Sequence, residues 1–357
     1  MTEQLRDGYD VVVVGGGAAG LNGALMLARA RRSVVVIDAG DPRNAPAEGV
    51  HGLLGHDGIP PARLLERGRA EVRRYGGQIV PGRVARVIRE QAGAPAAHEQ
   101  PVPTPAREED GFVVALADGR TVRARRLLVA AGVVDELPRV PGLRERWGRD
   151  VLHCPYCHGW EVRDRAVGVL ASGPMTVHQA LLFRQWSADV TVFSHTMPAP
   201  AGAEAEQLAA RGIRVVDGEV AALEIVADRL AGVRLADGTL VSREVLVVAP
   251  RMTARAAFLA PLGLRPVEHP MGVGEHLAAD PTGRTDVPGV WVAGNVTELA
   301  AQVGNAAAAG AVAATQINAD LVAEETRQAV AAHRDPFSAV TEAGVSALVT
   351  GQRSHGL

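Results

Sequence analysis

The chain has 357 residues, room for two domains at about 150 residues each. It is 47% hydrophobic and 22% charged with a net charge of −3, so no basic footprint for nucleic acid or an anionic membrane is expected. Its two cysteines cannot build a disulfide scaffold, no run approaches the ~18 apolar residues of a membrane span, and the polar Met1 to Asp10 holds no signal core. A cytoplasmic protein is expected, in which a disulfide would be catalytic rather than structural.

In chain order, Val11 to Val14 is a short β-branched run, as in a strand buried on both faces. Gly15-Gly16-Gly17-Ala18-Ala19-Gly20 follows, then a helix from about Leu21 to Arg31 and a strand from Ser33 to Ile37 ending at Asp38. This is a βαβ unit with Gly15, Gly17 and Gly20 in Gly-x-Gly-x-x-Gly spacing. Gly15 makes the tight turn, Gly17 admits a pyrophosphate to the backbone, and Gly20 lets helix and strand pack closely. The helix N-terminus suits phosphate, with Ala18 and Ala19 in the turn, and Asp38 suits ribose hydroxyls.

Residues 41–61 read as a loop rich in Gly, Pro and His, and residues 63–75 as a helix. Short strands with an Asp118-Gly119 turn form a small β-meander between Gln78 and Val129. Residues 91–110 interrupt it as a mobile surface insertion. Leu127 to Gly132 is a further buried strand, and Pro138 and Pro141 punctuate a linker. A second βαβ follows: strand 166–170, helix 177–186, strand 189–193. Strands at 211–216, 223–235 and 245–249 complete it, 289–295 is a strand running into a turn, and an Ala/Gly-rich helix spans about 303–325. The tail after His333 has mixed signals.

Both cysteines fall in His153-Cys154-Pro155-Tyr156-Cys157-His158-Gly159-Trp160. A Cys-x-x-Cys beside a βαβ pattern reads first as a redox pair. Zinc, completed by His153 and His158, is the weaker reading, because adjacent residues wrap a tetrahedral ion poorly and no second Cys/His cluster exists. Inert structural cysteines are the remaining one. No metal is expected. His51, His56 and His153 are read as loop histidines.

These motifs resemble the thioredoxin-reductase-like flavoproteins of the pyridine-nucleotide–disulfide oxidoreductase superfamily. The likeness rests on the first glycine motif, Ala130-Ala131-Gly132, Cys154-Pro155-Tyr156-Cys157-His158-Gly159, and Val292-Ala293-Gly294-Asn295. It implies an α/β fold of two Rossmann-like three-layer nucleotide-binding domains, the second inserted into the first, with small β-meanders. Residues 1–140 and 253–330 would bind FAD, residues 141–252 would carry the dithiol, and 331–357 would be a C-terminal tail. A homodimer is also implied. So are Ala131, Gly132, Gly294 and Asn295 at the flavin, with Gln302 and Val303 at its pyrimidine edge. Cys157 would be the sulfur nearer the flavin and Cys154 the exchanging one.

Departures from the family pattern point to the function. The second phosphate loop reads Ala171-Ser172-Gly173-Pro174-Met175-Thr176, with its first glycine lost and a proline lacking N–H. Ser194-His195-Thr196-Met197 offers neither the arginine pair that holds a 2′-phosphate nor an acidic residue for NADH. NAD(P)H is therefore doubtful as a cofactor, unless arginines such as Arg184 serve instead. His158 stands where thioredoxin reductases carry Asp, and so resembles the gliotoxin- and holomycin-type dithiol oxidases. The expected activity is FAD-dependent oxidation of a small-molecule dithiol, with Cys154, Cys157 and His158 catalytic and oxygen as acceptor. An NADPH-dependent reductase of a thioredoxin-like protein and a non-catalytic redox sensor are the alternatives.

Overall fold

The computed structural model describes residues 5–90, 111–334 and 346. The predicted insertion at 91–110 and the tail predicted beyond His333, apart from Arg334 and residue 346, lie outside those residues.

The first fold is built on strand Gly8–Val14, which lies parallel to Val34–Asp38 on one side and to Thr121–Val129 on the other. Gln78–Pro81 extends one edge and Val290–Val292 joins Thr121–Val129, both in parallel. Alternation along the central strand feeds two cores: Val12 and Val14 pack in one, Val11 and Val13 in the other. Each buried valine contributes about 1.5–3 kcal/mol. One face is covered by helices Ala18–Arg29, Pro61–Arg74 and Val303–Arg334. The other carries the meander of Val84–Arg89 and Phe112–Leu116, with the short 3-10 helix Ala257–Leu262.

The second fold repeats this plan with fewer parts. Its parallel sheet runs Arg214–Val216, Val190–Phe193, Val167–Leu170, Val245–Val248 and Val151–Leu152. Helix Thr176–Phe183 covers one face, and the antiparallel sheet of Val220–Val226, Arg229–Leu235 and Leu240–Ser242 covers the other. The chain crosses between the folds through Val133–Glu136 and Arg251–Ala254, which pair antiparallel.

Several predicted boundaries move, each for a local reason. The first helix starts at Ala18 rather than Leu21, because its opening turn lies inside the glycine run, where no apolar periodicity marks it. It stops at Arg29 rather than Arg31, which is left-handed at φ 64°. The second helix opens at Pro61, a residue suited to the first helical position. Helix 177–186 is shorter, Thr176–Phe183. The stretch read as one strand at 223–235 is a hairpin, turned by Ala227 and Asp228 with both φ positive. Residues 211–213 are not strand: Arg211 ends an unpredicted helix, Ala203–Ala210. The last helix passes Glu325 and reaches Arg334, since nothing breaks it before Pro336. Arg126 fixes its middle to the sheet, donating to Glu324 and Asp320 at 2.6 Å each. No helix among the described residues is long and apolar enough to cross a membrane.

Candidate active site

The dithiol sits where the second fold's edge strand ends. After Val151–Leu152 the chain makes a single helical turn, Pro155–His158, preceded by Cys154 in an extended conformation. Cys154 and Cys157 are joined as a disulfide, their Cα atoms 5.3 Å apart. The N–H groups of Cys157 and His158 both donate to the Cys154 carbonyl, at 3.3 and 3.2 Å. Gly159 closes the turn against Trp186, whose ring would overlap any added Cβ.

The disulfide opens into a cavity of about 1450 Å³, larger than the roughly 300–1,000 Å³ of ordinary ligand pockets. The two folds share its walls. From the first come Gly15, Gly17, Ala18, Ala19, Asp38, Ala131, Gly132, Gly294, Asn295, Gln302 and Val303. From the second come Cys154, Cys157 and His158, with Met175 and Gln179. Gly20 alone of the expected residues lies off the wall, packed so tightly that a Cβ would overlap the Gly15 carbonyl oxygen.

The nucleotide end fits a dinucleotide. Gly15 takes φ +106°, a conformation L side chains rarely adopt, and Gly17 faces open space. The helix beginning at Ala18 has no side-chain cap, so its first N–H groups remain for phosphate oxygens. Asp38 accepts from the N–H groups of Gly16 and Gly40, at 3.2 and 3.1 Å, and pairs with Arg69 at 3.0 Å. Sequence gave no sign of Arg69. Asn295, expected at the flavin, also holds the local backbone. Its Nδ2 lies 3.0–3.2 Å from the carbonyls of Glu298, Leu299 and Ala301, tying down the turn that leads to the last helix. Oδ1 remains as its acceptor.

The four histidines around the dithiol and its loop differ sharply. Among the described residues neither ring nitrogen of His158 makes a well-formed hydrogen bond, and only the Cys154 backbone bears on it as a weak one. Burial holds its pKa below the usual imidazole value, opposed by Glu161 and assisted by His51. His153 is also held low, first by burial and then by Arg43. It is tied to the Val248 carbonyl at 3.3 Å and to Gln179, whose Nε2 donates to the His153 carbonyl at 3.1 Å. His51 also lines the cavity, its Nε2 3.5 Å from Glu161. His56 is exposed and off the wall.

The second fold's loop has a different chemistry. Ser172 Oγ donates to the Ala249 carbonyl at 2.9 Å, and Thr176 Oγ donates to the Gly173 carbonyl at 2.7 Å. The absence of an acidic residue at Ser194 needs correction. Asp217, from the end of the neighbouring strand, accepts from Ser194 Oγ at 2.7 Å. His195 is left-handed at φ 51°, and its Nδ1 accepts the Val220 N–H at 3.0 Å. Arg184 is committed elsewhere, donating to the Arg211 carbonyl at 2.8 Å.

Two Rossmann-like folds, a nucleotide cradle and a disulfide on one cavity define a nucleotide-dependent disulfide oxidoreductase. Residues 9–311 match the family described as "Pyridine nucleotide-disulphide oxidoreductase", and the chain belongs to that family. It is 31% identical over 323 residues to "Thioredoxin reductase tcpT" of Claviceps purpurea, spanning 87% of this chain and 95% of that one. Among solved structures, that of HlmI superposes with TM-score 0.83 at 44% identity, covering 94% of this chain and 99% of the other. An oxidoreductase from Agrobacterium tumefaciens gives 0.78 at 35% identity, covering 88% and 98%. The protein is thus a thioredoxin-reductase-like oxidoreductase, and FAD is the family's cofactor.

Proposed function

We propose that the protein is an FAD-dependent dithiol oxidase that closes a disulfide in a small molecule, with dioxygen as the final acceptor. The observation that carries this reading is the second fold's phosphate loop. Pro174 offers no N–H, Thr176 Oγ is spent on the Gly173 carbonyl, and Asp217 stands against Ser194, where a 2′-phosphate would need cations. Reduction by NADPH has little to hold it there, whereas the disulfide and His158 share the flavin cavity.

A first substrate thiol gives its proton to His158, and its thiolate attacks Cys154 Sγ. A mixed disulfide forms, the Cys154–Cys157 bond breaks, and the Cys157 thiolate is released. The second substrate sulfur then attacks the first, closing the product disulfide and freeing Cys154. FAD, when bound, supplies the two-electron acceptor for the enzyme dithiol and passes those electrons on. Burial keeps the His158 imidazole neutral, so it is free to accept a proton at neutral pH. A thiol beside Cys154 would offer the His158 ring a better partner than the weak contact it has with the Cys154 backbone. Because the pKa is lowered, turnover should stay level as pH falls through about 6.5 and decline only below it.

A reductase acting on a thioredoxin-like protein is the second reading, favoured by the name of the Claviceps relative. Anaerobic stopped-flow titration separates the two. Flavin bleaching by a small dithiol, slow bleaching by NADPH and rapid recovery in air are expected. Bleaching by micromolar NADPH at catalytic rates would restore the reductase.

A further inference from the structure

Closing a disulfide releases two protons, one from each thiol. The oxidase reading, on which this inference rests, gives His158 only the first. We propose that His51, flanked by Glu161, accepts the second.

His51 shares the cavity of the dithiol, where a bound substrate thiol can reach it. Its side chain is one-quarter exposed and lines the same cavity as Cys154, Cys157 and His158, but it comes from the first fold. Its loop is closed by paired backbone bonds, Val50 N–H to the Ile59 carbonyl and Gly58 N–H to the Val50 carbonyl, both 2.8 Å. Gly52 N–H donates to Asp57 Oδ1 at 2.9 Å. Gly49 leaves space for the ring, since a Cβ there would lie 3.1 Å from His51 Nε2. Nδ1 lies 3.5 Å from Asp57 and Nε2 3.5 Å from Glu161. Glu161 is three residues past His158, so the dithiol segment itself supplies a carboxylate that would stabilise the imidazolium His51 becomes on taking the proton. Asp57, Glu161 and His158 are the titratable groups set against the ring among the described residues.

The step balances. The second thiol's proton passes to His51, and its sulfur attacks the substrate sulfur bound to Cys154. The new S–S bond forms as the bond to Cys154 breaks, and the electron pair leaves on Cys154 Sγ. The substrate loses two protons and two electrons; His158 and His51 hold the protons, and the enzyme dithiol holds the electrons.

The test uses the FAD-loaded enzyme with dithiothreitol as the dithiol. Acid quench and mass spectrometry report the mixed disulfide, and flavin retention reports folding. In His51→Gln the adduct should form at the wild-type rate and resolve about 100-fold more slowly at neutral pH, the low end of general-base contributions. At about pH 10, above the roughly 8.5 of a free thiol, no base is needed and the difference should vanish. Glu161→Gln should show the same pattern to a smaller degree. Wild-type resolution in His51→Gln at neutral pH overturns the proposal. So does a defect that persists at about pH 10, since a purely structural tie would not be rescued by ionising the substrate. Failure of the wild-type enzyme to form any mixed disulfide would instead sink the exchange reading, and this proposal with it.

Discussion

The two nucleotide-type folds share a plan and differ in their turns. In the first, strand Gly8–Val14 runs into side-chain-free glycines, and the helix at Ala18 begins with uncapped N–H groups. In the second, strand Val167–Leu170 runs into Ala171, and the turn before Thr176 satisfies itself with Ser172 and Thr176 hydroxyls. The sheet does not register this loss. Its cores are apolar, from Val167, Val169 and Phe183 on one face to Leu170, Phe193 and Val248 on the other, and none of that packing depends on a phosphate. The packing of such a Rossmann-like unit therefore does not require a ligand at its turn. Here the scaffold presents a disulfide to the neighbouring fold's cavity.

The largest effect should come from removing what the second fold still offers. Cys154→Ser and Cys157→Ser should each abolish disulfide turnover while FAD stays bound, because the exchange needs both sulfurs and the cradle needs neither. Turnover with a small dithiol and the flavin spectrum of the purified variants check this. Near-wild-type turnover in either would remove the dithiol from the chemistry.

The next effect attacks the first fold. Gly17 has no atom within 4 Å of an added Cβ, so Gly17→Ala should fold normally. The methyl would nonetheless occupy the space through which a pyrophosphate approaches the backbone. FAD affinity should fall about 10- to 150-fold, as expected for losing about 1.5–3 kcal/mol of charge-assisted hydrogen bonding. Equilibrium titration of the apoprotein with FAD measures it, and an unchanged affinity would place the pyrophosphate elsewhere. Asn295→Asp should act more mildly and on stability. It removes the N–H donors shared by three carbonyls and sets a carboxylate against them. A loss of about 1–3 kcal/mol, read by denaturant unfolding, is expected; an unchanged midpoint would mean that the turn does not rely on that amide.

How much of this was legible in the sequence depends on whether the partners are close along the chain. The first βαβ, the Cys-x-x-Cys and the loss of the second glycine motif are local, and each could be read directly. Asp217 against Ser194 could not be, because parallel strands are adjacent in space while a connection separates them in sequence. His51 against Glu161 joins the two folds, and only their packing brings it about. Asn295 was legible as a polar group at a strand end. Its three carbonyl partners were not, since they depend on how residues 298–301 turn back.

The smallest effect is the sharpest test of the comparison. Gly173, like Gly17, faces open space and has no atom within 4 Å of an added Cβ. In a loop that cradled a pyrophosphate, the methyl of Gly173→Ala would obstruct the ligand as it does in Gly17→Ala. In a loop that only connects a strand to a helix, it should cost at most a few tenths of a kcal/mol, as surface substitutions do. Unfolding midpoint, FAD affinity and dithiol turnover should therefore all match the wild type. The rate of flavin reduction by NADPH should not change either, since no phosphate contact is there to lose. A several-fold drop in that rate, confined to Gly173→Ala, would mean that the second fold still binds a nicotinamide nucleotide and that the two turns differ in sequence but not in use.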